Sequence, residues 1–201
     1  MTDQKFTGVM TRIREYRSGS VKIMTCFVPS YRDWVDSLLS ELNNGRDQYS
    51  FSHHIGDRWE NTYLDITHVP TVRLPMRLAR DLVKENWRIP TVVLYEAMPN
   101  FINSNPPFWF NIAKIGERTG VHDHAKLASV SGVVYLQCSP NSGNLFFQSE
   151  EKTECSIVPE KGKMVLFPSH LRHGVSANES SDQRISLAFN LYPFPLPSDD
   201  W

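Results

Sequence analysis

The sequence is poor in cysteine, and the cysteines it has are not arranged for a disulfide framework or a zinc site. Cys26, Cys138 and Cys155 are the only three in 201 residues, and no two of them form a CxxC pair. This spacing excludes a zinc-finger pattern and favours free thiols, as in a reducing, cytoplasmic compartment.

The sequence also lacks an excess of positive charge and any long apolar run. Lys and Arg number 21 against 22 Asp and Glu, for a net charge of −1. We therefore expect neither nucleic acid nor an anionic membrane as the main partner. No apolar segment approaches the roughly 20 residues of a membrane span, and residues 1–5 lack the apolar run of a signal peptide, so we expect neither membrane insertion nor secretion.

The length and composition predict one globular domain over residues 1–201. A hydrophobic content of 40% and a charged content of 21% are ordinary for a soluble protein, and a chain of this length can bury a substantial core. We expect an N-terminal part at 1–107 that supports a core at 108–192, followed by a C-terminal tail at 193–201.

The first half of the chain begins with a strand and a helix. The alternating sequence of Val21–Phe27 predicts a strand. Apolar positions at helical spacing predict a helix over residues 31–42. Ser30 is the expected N-cap of this helix, and Asn43-Asn44-Gly45 its end.

A second helix is predicted over residues 76–87. Pro75 precedes it, at a position where the missing N–H does no harm. We interpret the ambiguous segment 90–98 as helical as well. These helices are expected to cover one face of a larger sheet.

From residue 108 onward the sequence changes to short apolar or alternating runs separated by turn residues. Such regular spacing is typical of an antiparallel sandwich or barrel. The predicted strands cover residues 109–115, 129–137, 144–148, 156–159, 163–168 and 184–192.

Three histidines in this half form a candidate metal site. His122 and His124 are spaced as i and i+2, which places two side chains on one face of a strand, where they can bind one metal ion. The alternative is a solvated loop, since polar residues surround the pair. His173 strengthens the metal interpretation because it follows the strand-like run at 163–168, whereas we interpret His170 as a surface or neighbouring residue.

Arg184 and Ser186 form a candidate carboxylate site. They share a strand face, and a guanidinium can bind a carboxylate through two hydrogen bonds, to which a nearby hydroxyl adds a third. The alternative is an edge-strand arginine paired with a local acid. The buried appearance of the run and its position eleven residues after His173 favour carboxylate binding.

Three further polar residues are candidates for the same ligand. Ser131 and Tyr135 share one face of a predicted strand, and Asn111 lies in another. For each of them, core packing with a satisfied polar group is the competing interpretation. Residues near Trp59, Trp87 and Phe101 in the first half are expected to shape the pocket.

The ordered set of these segments resembles the Fe(II)- and 2-oxoglutarate-dependent oxygenases, most closely a branch of small bacterial and phage proteins. The resemblance covers residues 108–192, and the first half has no such counterpart. The segments that carry it are Trp109-Phe110-Asn111, His122-Asp123-His124, Ser131-Gly132-Val133-Val134-Tyr135-Leu136, Pro159-Glu160-Lys161-Gly162, Val165-Leu166-Phe167-Pro168-Ser169, His173-Gly174-Val175 and Arg184-Ile185-Ser186-Leu187-Ala188-Phe189-Asn190.

The resemblance implies a mainly β fold with flanking helices around a double-stranded β-helix, the jelly-roll or cupin-like core. It implies Fe(II) on His122 and His173, and Arg184 on the distal carboxylate of 2-oxoglutarate, assisted by Ser186 and Tyr135. The superfamily usually has His-x-Asp where this chain has His-x-His. His124, Asp123 or water therefore remains open as the third ligand.

Three functional hypotheses follow. The first is a non-haem iron dioxygenase that consumes 2-oxoglutarate and O2, releases succinate and CO2, and hydroxylates a small-molecule, amino-acid or carrier- or peptide-bound substrate. The second is a three-histidine metalloenzyme of the cupin type, a dioxygenase or isomerase that does not use 2-oxoglutarate. The third is a non-catalytic ligand-binding β-helix module. A homodimer is compatible with all three.

Overall fold

The computed structural model describes residues 2–6, 9–18, 21–55, 57–98, 105–124, 128–149 and 152–196. Within these ranges the chain forms two α-helices and fourteen strands, joined by short turns. The helices are α1 (Tyr31–Asn44) and α2 (Arg73–Trp87). The strands are β1 (Thr2–Phe6), β2 (Val9–Ser18), β3 (Val21–Phe27), β4 (Ser50–Ile55), β5 (Arg58–Tyr63), β6 (Thr91–Val92), β7 (Phe108–Ala113), β8 (Thr119–His122), β9 (Val130–Gln137), β10 (Leu145–Ser149), β11 (Lys152–Ile157), β12 (Lys163–Pro168), β13 (Arg172–Val175) and β14 (Arg184–Pro193).

In this part of the chain the strands make one ten-stranded and one four-stranded antiparallel sheet. The larger sheet has the order β1-β2-β3-β12-β9-β14-β7-β5-β4, with β6 paired to β14. The smaller sheet has the order β11-β10-β13-β8. A buried cluster that includes Tyr135, Phe147 and Phe167 joins the two sheets. The predicted mainly β, jelly-roll architecture is confirmed.

Both helices pack on the outer face of the larger sheet. A second core cluster combines helix residues such as Leu38 and Leu82 with Phe110 and Leu187 of the sheet. Since side chains alternate along a strand, the residues between these apolar positions face the smaller sheet instead. The predicted helical layer on one sheet face is confirmed. In the described residues neither helix is long and apolar enough to cross a membrane.

The helix boundaries differ slightly from the predicted ones. Ser30 precedes α1, but its backbone is left-handed (φ 51°) and its side chain makes no capping hydrogen bond, so the predicted cap is wrong. α2 begins at Arg73, earlier than predicted, because a 3-10 turn at Pro70–Val72 leads into it. Pro75 is tolerated as the third helical residue, since the first N–H groups of a helix have no internal partner.

The predicted helix at residues 90–98 is wrong. Arg88 adopts a left-handed conformation that ends α2, and the next segment forms β6 (Thr91–Val92). β6 pairs with Tyr192 and Pro193 of β14, so sheet hydrogen bonds replace the expected helix. Of the predicted C-terminal tail, residues 197–201 lie outside the described residues.

Candidate active site

Two short strands of the smaller sheet place two histidines side by side. His122 ends β8 and His173 lies in β13, and the two are register partners across this antiparallel pair. Their ring centroids are 4.5 Å apart. Phe147 and Phe167 pack against the His173 ring at 6.2 Å and 4.6 Å, which restricts the orientation of this buried imidazole.

His124 completes a cluster of three imidazoles. It follows β8 by two residues, and its backbone N–H donates a hydrogen bond of 2.8 Å to the carbonyl oxygen of Ser169. One ring nitrogen from each of His122, His124 and His173 lies within 4.8 Å of the other two. The predicted grouping of the three side chains is therefore present in the structure.

Two neighbouring titratable side chains lie outside this cluster. Asp123 is exposed and does not join the three imidazoles, although it lies between two of them in sequence. His170 is also exposed, as predicted for a surface residue. The geometry thus favours His124 over Asp123 as the third candidate ligand.

The backbone fixes which nitrogen of two imidazoles carries the proton. Nδ1 of His122 lies 2.9 Å from the carbonyl oxygen of Gly120, and Nδ1 of His173 lies 2.8 Å from that of Leu171. Because a carbonyl oxygen can only accept, each Nδ1 must donate. The Nε2 lone pair of each ring remains available to a metal ion, and such backbone partners typically orient histidine ligands.

Two histidines of the cluster are held in the neutral form. Burial, assisted by the proximity of His122, lowers the pKa of His124 to about 4. The same two effects lower the pKa of His173 to about 3. Neutral imidazole is the form that binds metals, so His124 and His173 are in the metal-binding form at neutral pH.

Arg184, the first residue of β14, is a buried cation with no carboxylate at ion-pair distance among the described residues. Only 1% of its surface is exposed, and among the described residues it forms no ion pair. Its Nη1 donates a hydrogen bond of 2.6 Å to the carbonyl oxygen of Ser142. Burial lowers the pKa of the guanidinium from its usual value. A buried charge is costly unless it is paired, so this position suits an anionic ligand.

A phenol and a hydroxyl accompany this cation. Tyr135 is 2% exposed, and its hydroxyl has no hydrogen-bond partner among the described residues. Burial raises the pKa of Tyr135, against the opposing effect of the Arg184 charge, so the phenol stays protonated and able to donate. Ser186 is the register partner of Tyr135 on β9 and of Asn111 on β7. An unpaired donor beside an unpaired cation fits a carboxylate.

An open cavity of about 650 Å³ borders the same strand, β14, further along the chain. Ala188 and Asn190 line this cavity, as do the three histidines. Arg184 and Ser186 follow the same alternation along β14, but they and Tyr135 are buried and do not line the open space. The candidate carboxylate site therefore lies at the inner end of the sheet face that carries the cavity.

Ser131 and Asn111 also line the cavity, and both already have protein partners. The hydroxyl of Ser131 lies 2.8 Å from Oδ1 of Asn190. Nδ2 of Asn111 donates to the carbonyl oxygen of Glu60 at 2.8 Å and to Oδ1 of Asn61 at 3.2 Å. Their predicted role at the cosubstrate remains a prediction and would require these hydrogen bonds to change.

A hairpin that the sequence did not single out forms the outer wall. β4 and β5 contribute His53, Asn61 and Tyr63 to the cavity lining. Trp109, on the neighbouring strand β7, packs against His124 with ring centroids 5.5 Å apart. The only signal in the sequence was the Trp59 region, since Trp59 lies in this hairpin and is half exposed.

The other two aromatic residues expected near the pocket have different outcomes. Trp87 packs against the helical core cluster, and its indole N–H donates to Glu15 at 3.3 Å, so it does not line the cavity. It ends α2, on the outer face of the larger sheet, which is why its predicted role is wrong. Phe101 lies outside the described residues.

A protein-family model described as "Putative 2OG-Fe(II) oxygenase" matches residues 147–190. This span contains His173, Arg184 and Ser186, but not His122 or His124. No curated protein matches the chain in sequence.

Solved structures share the fold over most of the chain. A prolyl-4-hydroxylase from Pseudomonas putida is 15% identical, with a TM-score of 0.62 over 87% of this chain and 94% of that one. A prolyl hydroxylase from Trichoplax adhaerens, in complex with a fragment of hypoxia inducible factor, is 13% identical, with a TM-score of 0.61 over 84% and 83%. HygX from Streptomyces hygroscopicus, with nickel and 2-oxoglutarate bound, is 15% identical, with a TM-score of 0.57 over 86% and 83%.

At identities this low, the structural similarity establishes the fold alone. This fold is the jelly-roll core that the 2-oxoglutarate- and Fe(II)-dependent oxygenases share. Together with the family match, they confirm the predicted resemblance to this superfamily.

Proposed function

We propose that the chain is a dioxygenase that uses Fe(II), 2-oxoglutarate and O2, releases succinate and CO2, and hydroxylates an unactivated C–H bond. One observation carries this proposal: three histidines line the cavity as a cluster, and β14, which also lines the cavity, begins with a buried arginine that has no ion-pair partner among the described residues. Fold alone does not determine function, so the proposal depends on this pairing rather than on the shared architecture.

His122, His124 and His173 would hold the iron. Nitrogen ligands suit Fe(II), and a set of three leaves positions open for other ligands. The backbone carbonyls at Gly120 and Leu171 hold two of the rings so that each presents Nε2. Fe(II) in such a site supplies O2 activation coupled to decarboxylation of the keto acid.

Arg184 would bind the distal carboxylate of 2-oxoglutarate. Its guanidinium offers several donors in a planar fork, and among the described residues only Nη1 has a hydrogen-bond partner. The Tyr135 hydroxyl, which also lacks a partner, would donate to the same carboxylate, with Ser186 adjacent. The bound anion would thereby give the buried guanidinium of Arg184 an ion-pair partner and the buried hydroxyl of Tyr135 a hydrogen-bond acceptor.

The outer cavity would hold the substrate and limit the access of water. Its volume of about 650 Å³ suits a small molecule, an amino acid, or one residue of a peptide or carrier-bound group. The Trp109 ring, packed against His124, would shield that side of the site from water.

Anaerobic binding measurements test the proposal without any knowledge of the substrate. The Fe(II)-loaded protein should develop a visible charge-transfer band when 2-oxoglutarate is added, and Arg184→Ala should abolish or strongly weaken it. Arg77→Ala is the matched control, since Arg77 is exposed on α2. A wild-type protein without the band, or an Arg184→Ala protein with an unchanged band, contradicts the proposal.

The third histidine favours one competing function, a cupin-type metalloenzyme that does not use 2-oxoglutarate. His124 occupies the position at which the superfamily usually carries a carboxylate, and three histidines are the ligand set of such enzymes. Arg184 would then bind a carboxylate of the substrate itself. Release of succinate during turnover distinguishes the two, because only the first enzyme produces it.

A further inference from the structure

The β4–β5 hairpin carries a histidine in an uncommon backbone conformation. His53 has a φ of 57°, in the left-handed region that residues with a side chain rarely adopt. It lines the same cavity as the three-histidine cluster. A backbone outlier at a cavity wall is a reason to ask which contact requires it.

A chain of hydrogen bonds with a fixed direction leads to this imidazole. It starts at the backbone carbonyl oxygen of Glu60, which can only accept a hydrogen bond. Nδ2 of Asn111 donates to this oxygen at 2.8 Å, which fixes the orientation of the Asn111 amide. The same Nδ2 lies 3.2 Å from Oδ1 of Asn61, so the Asn61 amide is oriented as well.

The direction of this chain sets the tautomer of His53. With Oδ1 of Asn61 accepting from Asn111, Nδ2 of Asn61 is the atom that faces His53, 3.1 Å from its Nδ1. An amide nitrogen donates, so Nδ1 of His53 must accept. The Ser52 hydroxyl, 2.7 Å from Nδ1, is compatible because it can donate as well. The neutral ring therefore carries its proton on Nε2.

The His53 side chain is exposed, and its Nε2 has no hydrogen-bond partner among the described residues. The protein thus holds one side of the ring with two partners and leaves a single N–H donor at the cavity wall. Such a donor is complementary to an oxygen atom that accepts a hydrogen bond.

The surroundings of His53 favour a neutral acceptor over an anionic one. Among the described residues that line the cavity there is no lysine or arginine, whereas Glu60 and Asp123 are present. A substrate anion at this wall would lack a counter-charge. Besides imidazoles and two hydroxyl side chains, the remaining polar lining consists of amide and phenol groups, which include Asn61, Tyr63, Asn190 and Tyr192.

We propose that His53 anchors the substrate by donating a hydrogen bond from Nε2 to a neutral oxygen, either an amide carbonyl or a hydroxyl group. Asn61 and Asn111 act as positioning residues, because they set the tautomer that makes this donor available. The inference rests on the proposed function, since it takes the cavity as the substrate site.

Long-range ¹H–¹⁵N spectra of the imidazoles test the positioning step in the full-length protein. Above pH 7.5, His53 should show a protonated Nε2 and an unprotonated Nδ1, with the signals assigned by their loss in His53→Gln. Asn61→Asp replaces the donor with an acceptor and should move the proton to Nδ1. Asn43→Asp, which adds the same charge at an exposed position, should leave the tautomer unchanged. A proton on Nδ1 in the wild type overturns the proposal.

Crystals soaked separately in N-methylacetamide, methyl glucoside and inorganic phosphate test the anchoring step. We expect an oxygen of at least one neutral probe within about 3.2 Å of Nε2 in the wild type. This contact should be kept in His53→Gln, whose amide retains a terminal N–H, and lost in His53→Leu. Which neutral probe binds identifies the acceptor as carbonyl or hydroxyl. Phosphate at this position, or no neutral probe there, overturns the proposal.

Neither measurement depends on iron, 2-oxoglutarate or turnover. Their failure would therefore remove the role of His53 and leave the proposed oxygenase to its own test. A protein with the expected His53 tautomer but without the charge-transfer band would instead contradict the proposed function.

Discussion

Replacing Arg184 with methionine should separate the binding of 2-oxoglutarate from the folding of the protein. Methionine fills a similar volume and removes a buried charge that has no ion-pair partner among the described residues, so the ligand-free variant should stay folded. In the complex, the loss of one partner of a buried charge pair typically costs about 2–5 kcal/mol. At about 1.4 kcal/mol per factor of ten, the Kd for 2-oxoglutarate should rise by about 30-fold to about 4,000-fold.

Anaerobic titration of the Fe(II)-loaded protein, followed by calorimetry or by the charge-transfer band, measures this Kd. Arg184→Lys should fall between wild type and Arg184→Met, because lysine keeps the charge but loses the planar fork. Arg77→Ala should match the wild type. An Arg184→Met protein that is folded and binds 2-oxoglutarate within about threefold of wild type would refute the assignment of Arg184.

Three further predictions concern the metal site and its frame. His173→Ala should weaken Fe(II) binding at least about tenfold in metal titrations, whereas His170→Ala, at an exposed position, should not. Gly143→Ala should lower the free energy of unfolding in urea by about 1–3 kcal/mol more than Gly116→Ala. Both glycines have positive φ, but a Cβ at Gly143 would lie 2.6 Å from Nη1 of Arg184, whereas a Cβ at Gly116 would have no neighbour within 4 Å. Equal decreases in the free energy of unfolding for the two variants would contradict the prediction. Burial lowers the pKa of His124 from 6.5 to about 4 and that of His173 from 6.5 to about 3. At a pH between the lowered values and 6.5, the unfolded chain therefore binds more protons than the folded protein. The free energy of unfolding of the metal-free protein should therefore be highest above pH 6.5 and fall toward pH 3; a flat urea-unfolding profile would count against these shifts.

The strands that build the inner wall could be predicted because their sequences are dominated by apolar and β-branched residues. β9, β12 and β14 are buried on both faces, one against the helices and one inside the jelly roll. Burial of both faces produces continuous apolar runs bounded by turn residues, and this signal is strong in a single sequence.

The β4–β5 hairpin could not be predicted for the opposite reason. Its β4 sequence, Ser50–Ile55, is largely exposed and polar, because this strand is at the edge of the sheet and faces the cavity. An exposed edge strand needs few apolar side chains for packing, so neither alternation nor apolar content marks β4 in the sequence. β8 and β13 are four residues each, too short for a periodic pattern.

The residues of the candidate site could be predicted more completely than the short strands that carry them. The spacing of His122, His173 and Arg184 pointed to one site, and the structure brings the two histidines into register and buries the arginine. The third ligand stayed open in the sequence, because an i, i+2 pattern does not show which side chain of a loop turns inward. The backbone hydrogen bond from His124 to Ser169 links the loop to the β12–β13 turn and is invisible in a sequence.

The most direct test of the central claim is the measurement of succinate formed from 2-oxoglutarate by the Fe(II)-loaded protein in air. Slow decarboxylation without substrate is sufficient, so the substrate need not be known. We predict equal amounts of succinate and CO2 with the wild type, and background levels with His173→Ala, Arg184→Met and metal-free protein. Wild-type succinate formation no greater than that of the metal-free protein would contradict the account.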